Sequence, residues 1–207
     1  MIFQVNTLNN SKLSKAYEKS MSELDNFFKI NWKNNRPNVF LVRNRKTINF
    51  LQDKKTENWL VGWVNGKDVY LLSDKTYEKE SCHKYSNEEY FALLKHELAH
   101  CFSNMVSHFS QKPVWLLEGI SIFLSGQNNF KAKPERLGKF IDSYDKLEKE
   151  VYLEAGFAVE FLVRKYGREK IIELMKKLKN SNSKEDFANL FKSVYSFELD
   201  YANFEVL

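Results

Sequence analysis

The stretch "FALLKHELAHCFSNM", from Phe91 to Met105, carries two of the four histidines in the chain, His96 and His100. Apolar residues surround both histidines, as expected for a helix that is buried at the base of a cleft. Successive helical residues are rotated by about 100°, so the two imidazoles lie about 40° apart on one face and can converge on one metal ion. Glu97 is placed beside that ion without being needed as a ligand. The stretch therefore predicts a central, metal-binding helix.

Glu118 is the expected third ligand, because zinc in a hydrolytic site usually takes three protein ligands and leaves a fourth position open. It is the only charged residue in the apolar run from Val114 to Leu124, and burying it without a partner costs several kcal/mol. We expect the helix to continue about seven residues past His100 and the chain to return antiparallel from Pro113. Glu118 then lies at nearly the same height as His100. Gly119 has no side chain and lets the two helices approach closely.

The residues that precede this helix predict a helix followed by a small antiparallel or mixed sheet. Apolar residues recur at helical spacing from Leu13 to Phe28, and a strand begins after Pro37. In "WLVGWVNGKDVYLLS" two apolar runs flank Asn65-Gly66, a dipeptide that tolerates the positive φ of a tight hairpin turn.

The residues that follow predict helices almost throughout. Ser86 and Glu89, three residues apart, form a capping box that begins the central helix. Gly167 is a residue at which a later helix is expected to end. We therefore expect an α+β fold in one domain of residues 1–207, with an N-terminal lobe over about 1–101 and a helical lobe over about 102–207.

Composition and charge make several classes of protein unfavourable. A hydrophobic share of 43% supports a proper core, and the net charge of +5 is scattered among acids without a nucleic-acid recognition motif. No apolar run reaches the roughly 18 residues of a membrane span, and the N-terminus shows no signal core. We expect no nucleic-acid or membrane partner and a cytoplasmic location. Cys82 and Cys101 form no disulfide framework, and Cys101 is expected to be a buried free thiol.

Two motifs together resemble a known family. The pattern His96-Glu97-x-x-His100, followed by "WLLEG" from Trp115 to Gly119, is similar to the gluzincins, the thermolysin-like zinc peptidases, and most of all to their compact peptidase-MA-like branch. The resemblance extends over about residues 37–195, through the hairpin and "VYLEAGFAVEFLVRKYGREKIIELMKKL". It implies a zincin-like fold and a zinc-dependent peptidase that acts on peptides or proteins.

The resemblance also implies roles for single residues. His96, His100 and Glu118 would hold one zinc ion per chain. Glu97 would be the general base, taking a proton from a zinc-activated water and passing it to the leaving amine.

Further roles implied by the resemblance concern the substrate. Tyr152 would donate a hydrogen bond to the developing oxyanion. The strand that contains Val69, Tyr70, Leu71 and Leu72 would be the edge strand along which an extended peptide pairs by main-chain hydrogen bonds.

Two histidines remain besides the expected metal ligands. His108 is a weaker alternative to Tyr152 as the hydrogen-bond donor and is more simply a surface residue. His83 is interpreted as a loop residue.

Gluzincins often place an acid one turn after the glutamate ligand, where it orients a zinc histidine, but in this sequence that position is Ile122. A backbone carbonyl or another carboxylate must then accept the second N–H of the histidine.

Three alternatives to an active peptidase are left open. The first is a zincin-like metal-binding module with little or no hydrolytic activity. The second is an autoinhibited precursor, in which the C-terminal "FELDYANFEVL" at 197–207 lies in the cleft. The third is a metal-free, basic helical protein that binds nucleic acid.

Overall fold

The computed structural model of the chain describes residues 7–146, 148 and 151–207, and its fold is α+β. The first residues of the N-terminal stretch, 1–6, lie outside the described residues. The strands of the described residues are β1 (Asn38–Val42), β2 (Gly62–Asn65) and β3 (Asp68–Leu72). The α-helices there are α1 (Ser11–Phe28), α2 (Arg45–Leu51), α3 (Tyr77–Glu80), α4 (Asn87–Val106), α5 (Val114–Ser125), α6 (Gly156–Tyr166), α7 (Arg168–Lys177) and α8 (Lys184–Tyr195). None of these helices is both long enough and apolar enough to cross a membrane.

The three strands form one mixed sheet in the order β1-β3-β2. The hairpin of β2 and β3 is antiparallel, as predicted, but its two-residue turn is Gly66-Lys67, one residue later than expected, with Gly66 at φ 63°. β1 pairs with β3 in parallel. The chain passes from β1 through α2 into β2, which runs opposite to β1, and the hairpin turn then reverses it, so β3 runs in the direction of β1.

The prediction that Val69, Tyr70, Leu71 and Leu72 form an edge strand is wrong. Their strand, β3, is the central one and is hydrogen-bonded to β1 on one side and to β2 on the other. Its backbone therefore has no free edge for a peptide, and Val69, Leu71 and Leu72 are fully buried. In the described part of the chain the edges of this sheet are β1 and β2.

The central helix α4 begins and ends where the sequence predicts. The Ser86 hydroxyl accepts a hydrogen bond from the backbone N–H of Glu89 at 3.1 Å, and the last helical residue is Val106. The helix packs against α5, α1 and β2, so apolar side chains such as Leu94 and Leu98 are fully buried. α4 therefore lies between the sheet and the helical lobe.

The C-terminal helices are also confirmed. A π-helical turn, Val151–Ala155, leads directly into α6, and Gly167 ends that helix with φ 86°. One cluster of buried apolar side chains extends from Met21 on α1 to Phe204 near the chain end. The two lobes thus share a continuous core.

The C-terminal segment 197–207 packs against the helical lobe. The Phe204 ring lies 5.0 Å from that of Phe140 and 5.5 Å from that of Phe161, between ring centroids. The segment makes no hydrogen bond, ion pair or ring contact with His96, His100 or Glu118 in the described structure. The arrangement gives no support to a chain end lying in the cleft.

Both cysteines are free, as the sequence predicts. Cys82 is exposed and Cys101 is buried on α4. Burial raises the pKa of Cys101 to about 12, with a further contribution from the Glu97 carboxylate. Cys101 is therefore a protonated thiol at neutral pH and serves as a small core residue.

Candidate metal centre

Helices α4 and α5 bring two imidazoles and one carboxylate to a common point. The Nε2 atoms of His96 and His100 are 3.0 Å apart. Nε2 of His96 lies 3.5 Å from one oxygen of Glu118, and Nε2 of His100 lies 3.5 Å from the other. The three residues predicted as metal ligands are therefore neighbours, brought together where α5 packs against α4.

The arrangement fits a divalent cation. Bonds of 2.0–2.1 Å in a tetrahedral zinc site separate neighbouring ligand atoms by about 3.3 Å, close to the observed 3.0 and 3.5 Å. Oε2 of Glu118 is buried and has no hydrogen-bond partner among the described residues. Two imidazole nitrogens and a carboxylate oxygen are a donor set that zinc accepts. In the described chain, this is the group of histidine, cysteine and acidic residues whose ligand atoms cluster closely enough to hold a metal.

The ligands attract one another electrostatically. Burial raises the pKa of Glu118, but His100 and His96 outweigh this effect, and the pKa lies well below its usual value. Burial lowers the pKa of His100, but the Glu118 carboxylate has the larger effect and raises this pKa to about 8. The Glu118 carboxylate is therefore ionised at neutral pH, and a bound cation would replace the proton that this carboxylate stabilises on His100.

Glu97 has the environment expected of a general base. Its residue is only 6% exposed. Burial raises its pKa, while His96 and His100 partly oppose the shift. A carboxylate with a raised pKa is a better proton acceptor in its ionised form.

The edge strand β2 passes directly beside this carboxylate. A Cβ added at Gly62, the first residue of β2, would lie 2.5 Å from Oε1 of Glu97. Only glycine allows so close an approach without moving the carboxylate. Sequence reasoning did not assign Gly62 to the site, although a glycine inside a strand is a signal of close backbone approach.

Tyr152 lies in the field of the same carboxylates. Burial raises its pKa, and Glu118 and Glu97 add to the increase. Its hydroxyl therefore stays protonated and can donate a hydrogen bond. The ring packs edge-on against Trp59, with centroids 6.1 Å apart. Glu118 and Glu97 thus both act on the Tyr152 hydroxyl, and its role as an oxyanion donor stays a prediction.

Trp59, which precedes β2, is held in place by two groups that the sequence did not connect with the site. Nε2 of His83 donates to the Trp59 carbonyl at 3.0 Å. Arg45 donates to the carbonyls on either side, at 2.6 Å for Leu60 and 3.1 Å for Asn58. The contact between Trp59 and Tyr152 therefore joins an anchored loop of the N-terminal lobe to the helical lobe.

Lys131 is a further residue that sequence reasoning missed. It follows a 3₁₀ turn, Gln127–Phe130, and its ammonium donates to the Tyr152 carbonyl. Burial lowers its pKa to about 8, while the Glu118 carboxylate opposes the change. The lysine-rich loop around it gave no signal that one of its lysines is directed inward.

His108 is not part of the site. It is an exposed residue with φ 54° in the turn that follows α4. This agrees with the simpler of its two interpretations, a surface residue.

The acceptor expected for the second N–H of a ligand histidine is missing for His96. Its Nδ1 is buried without a hydrogen-bond partner in the described residues. Ile122 is fully buried, and its side chain fills the space beside Gly156, where an added Cβ would lie 2.3 Å from Cγ2 of Ile122. The position that carries an acid in gluzincins therefore belongs to the apolar contact between α5 and α6.

Comparison with known proteins adds no relative. No protein-family model, curated protein or solved structure matches this chain.

Proposed function

We propose that this protein is a zinc-dependent peptidase with a zincin-like fold. The observation that carries the proposal is the convergence of His96, His100 and Glu118, with Glu97 buried beside them. When bound, zinc supplies a Lewis acid that polarises a peptide carbonyl and makes water more acidic. His96, His100 and Glu118 would hold the ion, which leaves the remaining chemistry to the chain.

Glu97 moves the proton in this mechanism. As general base it takes a proton from the attacking water, and as general acid it returns the proton to the leaving amine. Its burial supports the role, because the raised pKa brings the carboxyl closer to neutral pH. Tyr152, protonated and close to the same carboxylates, donates a hydrogen bond to the oxygen of the scissile carbonyl as negative charge develops.

The edge strand β2 provides the surface for an extended peptide. One side of β2 pairs with β3, which leaves main-chain groups on its other side for a substrate strand. Gly62 places this strand against Glu97. A peptide that pairs with β2 would therefore bring its backbone to the general base. The resemblance implied this peptide-pairing role for β3 instead.

A Glu97→Gln substitution tests this proposal. We expect bound zinc to remain near one ion per chain, because Glu97 is not a ligand, while peptide hydrolysis falls by at least about 100-fold, because the general base is lost. Zinc content by elemental analysis and digestion of a broad peptide library measure the two effects.

Glu88→Gln is the matched control. Glu88 is an exposed acid in the first turn of the same helix, and its substitution should change neither zinc content nor hydrolysis. Undiminished hydrolysis in Glu97→Gln would contradict the proposal.

A metal-binding module with little hydrolysis is the second candidate. The unpartnered Nδ1 of His96 favours it, because a histidine ligand without an acceptor is less well oriented and less basic. This candidate predicts that wild type and Glu97→Gln bind zinc equally and that neither cleaves any peptide of the library.

A further inference from the structure

The ammonium of Lys131 lies beside Tyr152, and no carboxylate of the described residues is paired with it. It has three N–H donors, and the Tyr152 carbonyl takes one of them. No described acid forms an ion pair with Lys131. A partly buried cation with free donors is costly unless a partner arrives to satisfy it.

The position of this cation is fixed by the surrounding fold. The ammonium lies 5.9 Å from the centroid of the Tyr152 ring, in addition to its hydrogen bond with the carbonyl of the same residue. The turn that precedes it is tied to α6, since the Asn128 amide donates to the Glu160 carboxylate at 2.9 Å. Lys131 is therefore held beside Tyr152 before any ligand binds.

Burial and the Glu118 carboxylate act in opposite directions on the charge of Lys131. Burial favours the neutral amine and lowers the pKa to about 8, while the Glu118 carboxylate opposes this effect. The groups that act on the ammonium are thus Glu118 from α5 and Tyr152 from the π-helical turn.

We propose that Lys131 binds a carboxylate of the peptide substrate, either the C-terminal α-carboxylate or an acidic side chain close to the scissile bond. The inference rests on the proposed peptidase function and narrows its substrates to peptides with a negative group at this position. A carboxylate offers acceptors for the unused N–H groups and neutralises the charge. Lysine suits this role because its ammonium acts as a point charge and accepts several directions of approach.

Matched peptides test the inference with the zinc-loaded protein. One peptide sequence is prepared as the free acid, as the C-terminal amide, and as the amide with one internal glutamine replaced by glutamate. Lys131→Met should raise KM for the carboxylate-bearing peptide about 10-fold or more beyond any change it causes for the neutral amide. Comparison of the free acid with the glutamate peptide shows which carboxylate is recognised.

Two further variants separate recognition from folding. Lys131→Arg keeps the charge and should recover much of the preference for the carboxylate peptide. Lys133→Met removes an exposed lysine from the same loop and should leave all KM values unchanged. Equal effects of Lys131→Met on acid and amide peptides, or no effect on either, would overturn the inference.

A binding measurement distinguishes failure of this inference from failure of the proposed function. The zinc-loaded Glu97→Gln protein is titrated with the free-acid and amide peptides, using its tryptophan fluorescence. We expect tighter binding of the carboxylate peptide and loss of this preference in the Glu97→Gln, Lys131→Met double variant. A wild type that cleaves nothing contradicts the peptidase, whereas equal or absent binding of the two peptides contradicts the role of Lys131.

Discussion

The Glu97 carboxylate lies so close to the backbone of Gly62 that it occupies the place of a side chain at position 62. A Cβ at position 62 would come within 2.5 Å of Oε1 and 3.0 Å of Cδ of Glu97. Both atoms belong to the buried carboxyl group that we propose as the general base. The position of this base therefore depends on the absence of a side chain on the neighbouring strand.

Gly62→Ala should displace the general base without removing a metal ligand. We expect kcat for peptide hydrolysis to fall by about 10- to 100-fold, because a shift of about 1 Å in a catalytic group can have an effect of this size. Zinc content should stay that of the wild type. Steady-state kinetics and elemental analysis measure the two quantities.

Gly138→Ala is the control for this change. A Cβ at Gly138 would meet nothing within 4 Å, so the same substitution there should leave kcat unchanged. Wild-type kinetics in Gly62→Ala would show that the close contact does not position Glu97.

At the scale of elements, α5 is clamped between α4 and the π-helical turn that leads into α6. Glu118 faces the histidines of α4. Gly119, the next residue, is rotated by about 100° from it and faces the other neighbour, where a Cβ would lie 2.5 Å from the Ala155 carbonyl oxygen and 2.8 Å from Val159. The sequence predicted that Gly119 permits close packing against α4. The elements that approach Gly119 closely are instead the π-helical turn and α6. The rotation between consecutive residues is the physical reason.

Gly119→Ala should weaken both the fold and the metal centre. The added methyl group meets backbone, which cannot move aside as a flexible side chain does, so we expect a loss of about 1–3 kcal/mol in the free energy of unfolding. Displacement of α5 also moves Glu118, and zinc affinity should fall. Denaturant titration and zinc competition with a chelating dye measure these effects.

Gly138→Ala serves again as the comparison, because the residue change is the same and the space around it is open. Wild-type stability in Gly119→Ala would contradict the close packing of α5 against Ala155.

At the scale of the whole molecule, the C-terminal segment closes the aromatic core of the helical lobe. Phe204 is 7% exposed, and its ring lies 6.1 Å from that of Phe191 on α8, in addition to its contacts with Phe140 and Phe161. Such packing makes the chain end a structural part of the lobe.

Phe204→Ala should destabilise the protein by about 3 kcal/mol, the lower end of the range for a buried phenylalanine. Peptide hydrolysis at a temperature where the variant is folded should not increase. Thermal unfolding and peptide cleavage assays measure the two. Leu207→Ala, at a residue that is 46% exposed, should change stability by less than about 0.5 kcal/mol. Faster hydrolysis in Phe204→Ala would instead support a tail that inhibits the site.

Local signals in the sequence determined where several helices begin and end and where the hairpin lies. The Ser86 cap, the length of α4, the hairpin at Gly66 and the helix stop at Gly167 all follow from residues close to one another in the chain. The convergence of Glu118 with the two histidines was also predictable, because one antiparallel helix return relates them. Helical and turn geometry are properties of short segments, which is why these predictions hold.

Only the tertiary structure decided the order of the strands and the walls of the site. Whether β2 or β3 lies at the edge depends on where β1 pairs, and β1 is separated from the hairpin by the whole of α2. The approach of Gly62 to Glu97 and of Lys131 to Tyr152 likewise joins residues that are distant in the chain. Such contacts are selected by the packing of complete elements against one another, and no periodicity or cap within a segment encodes them.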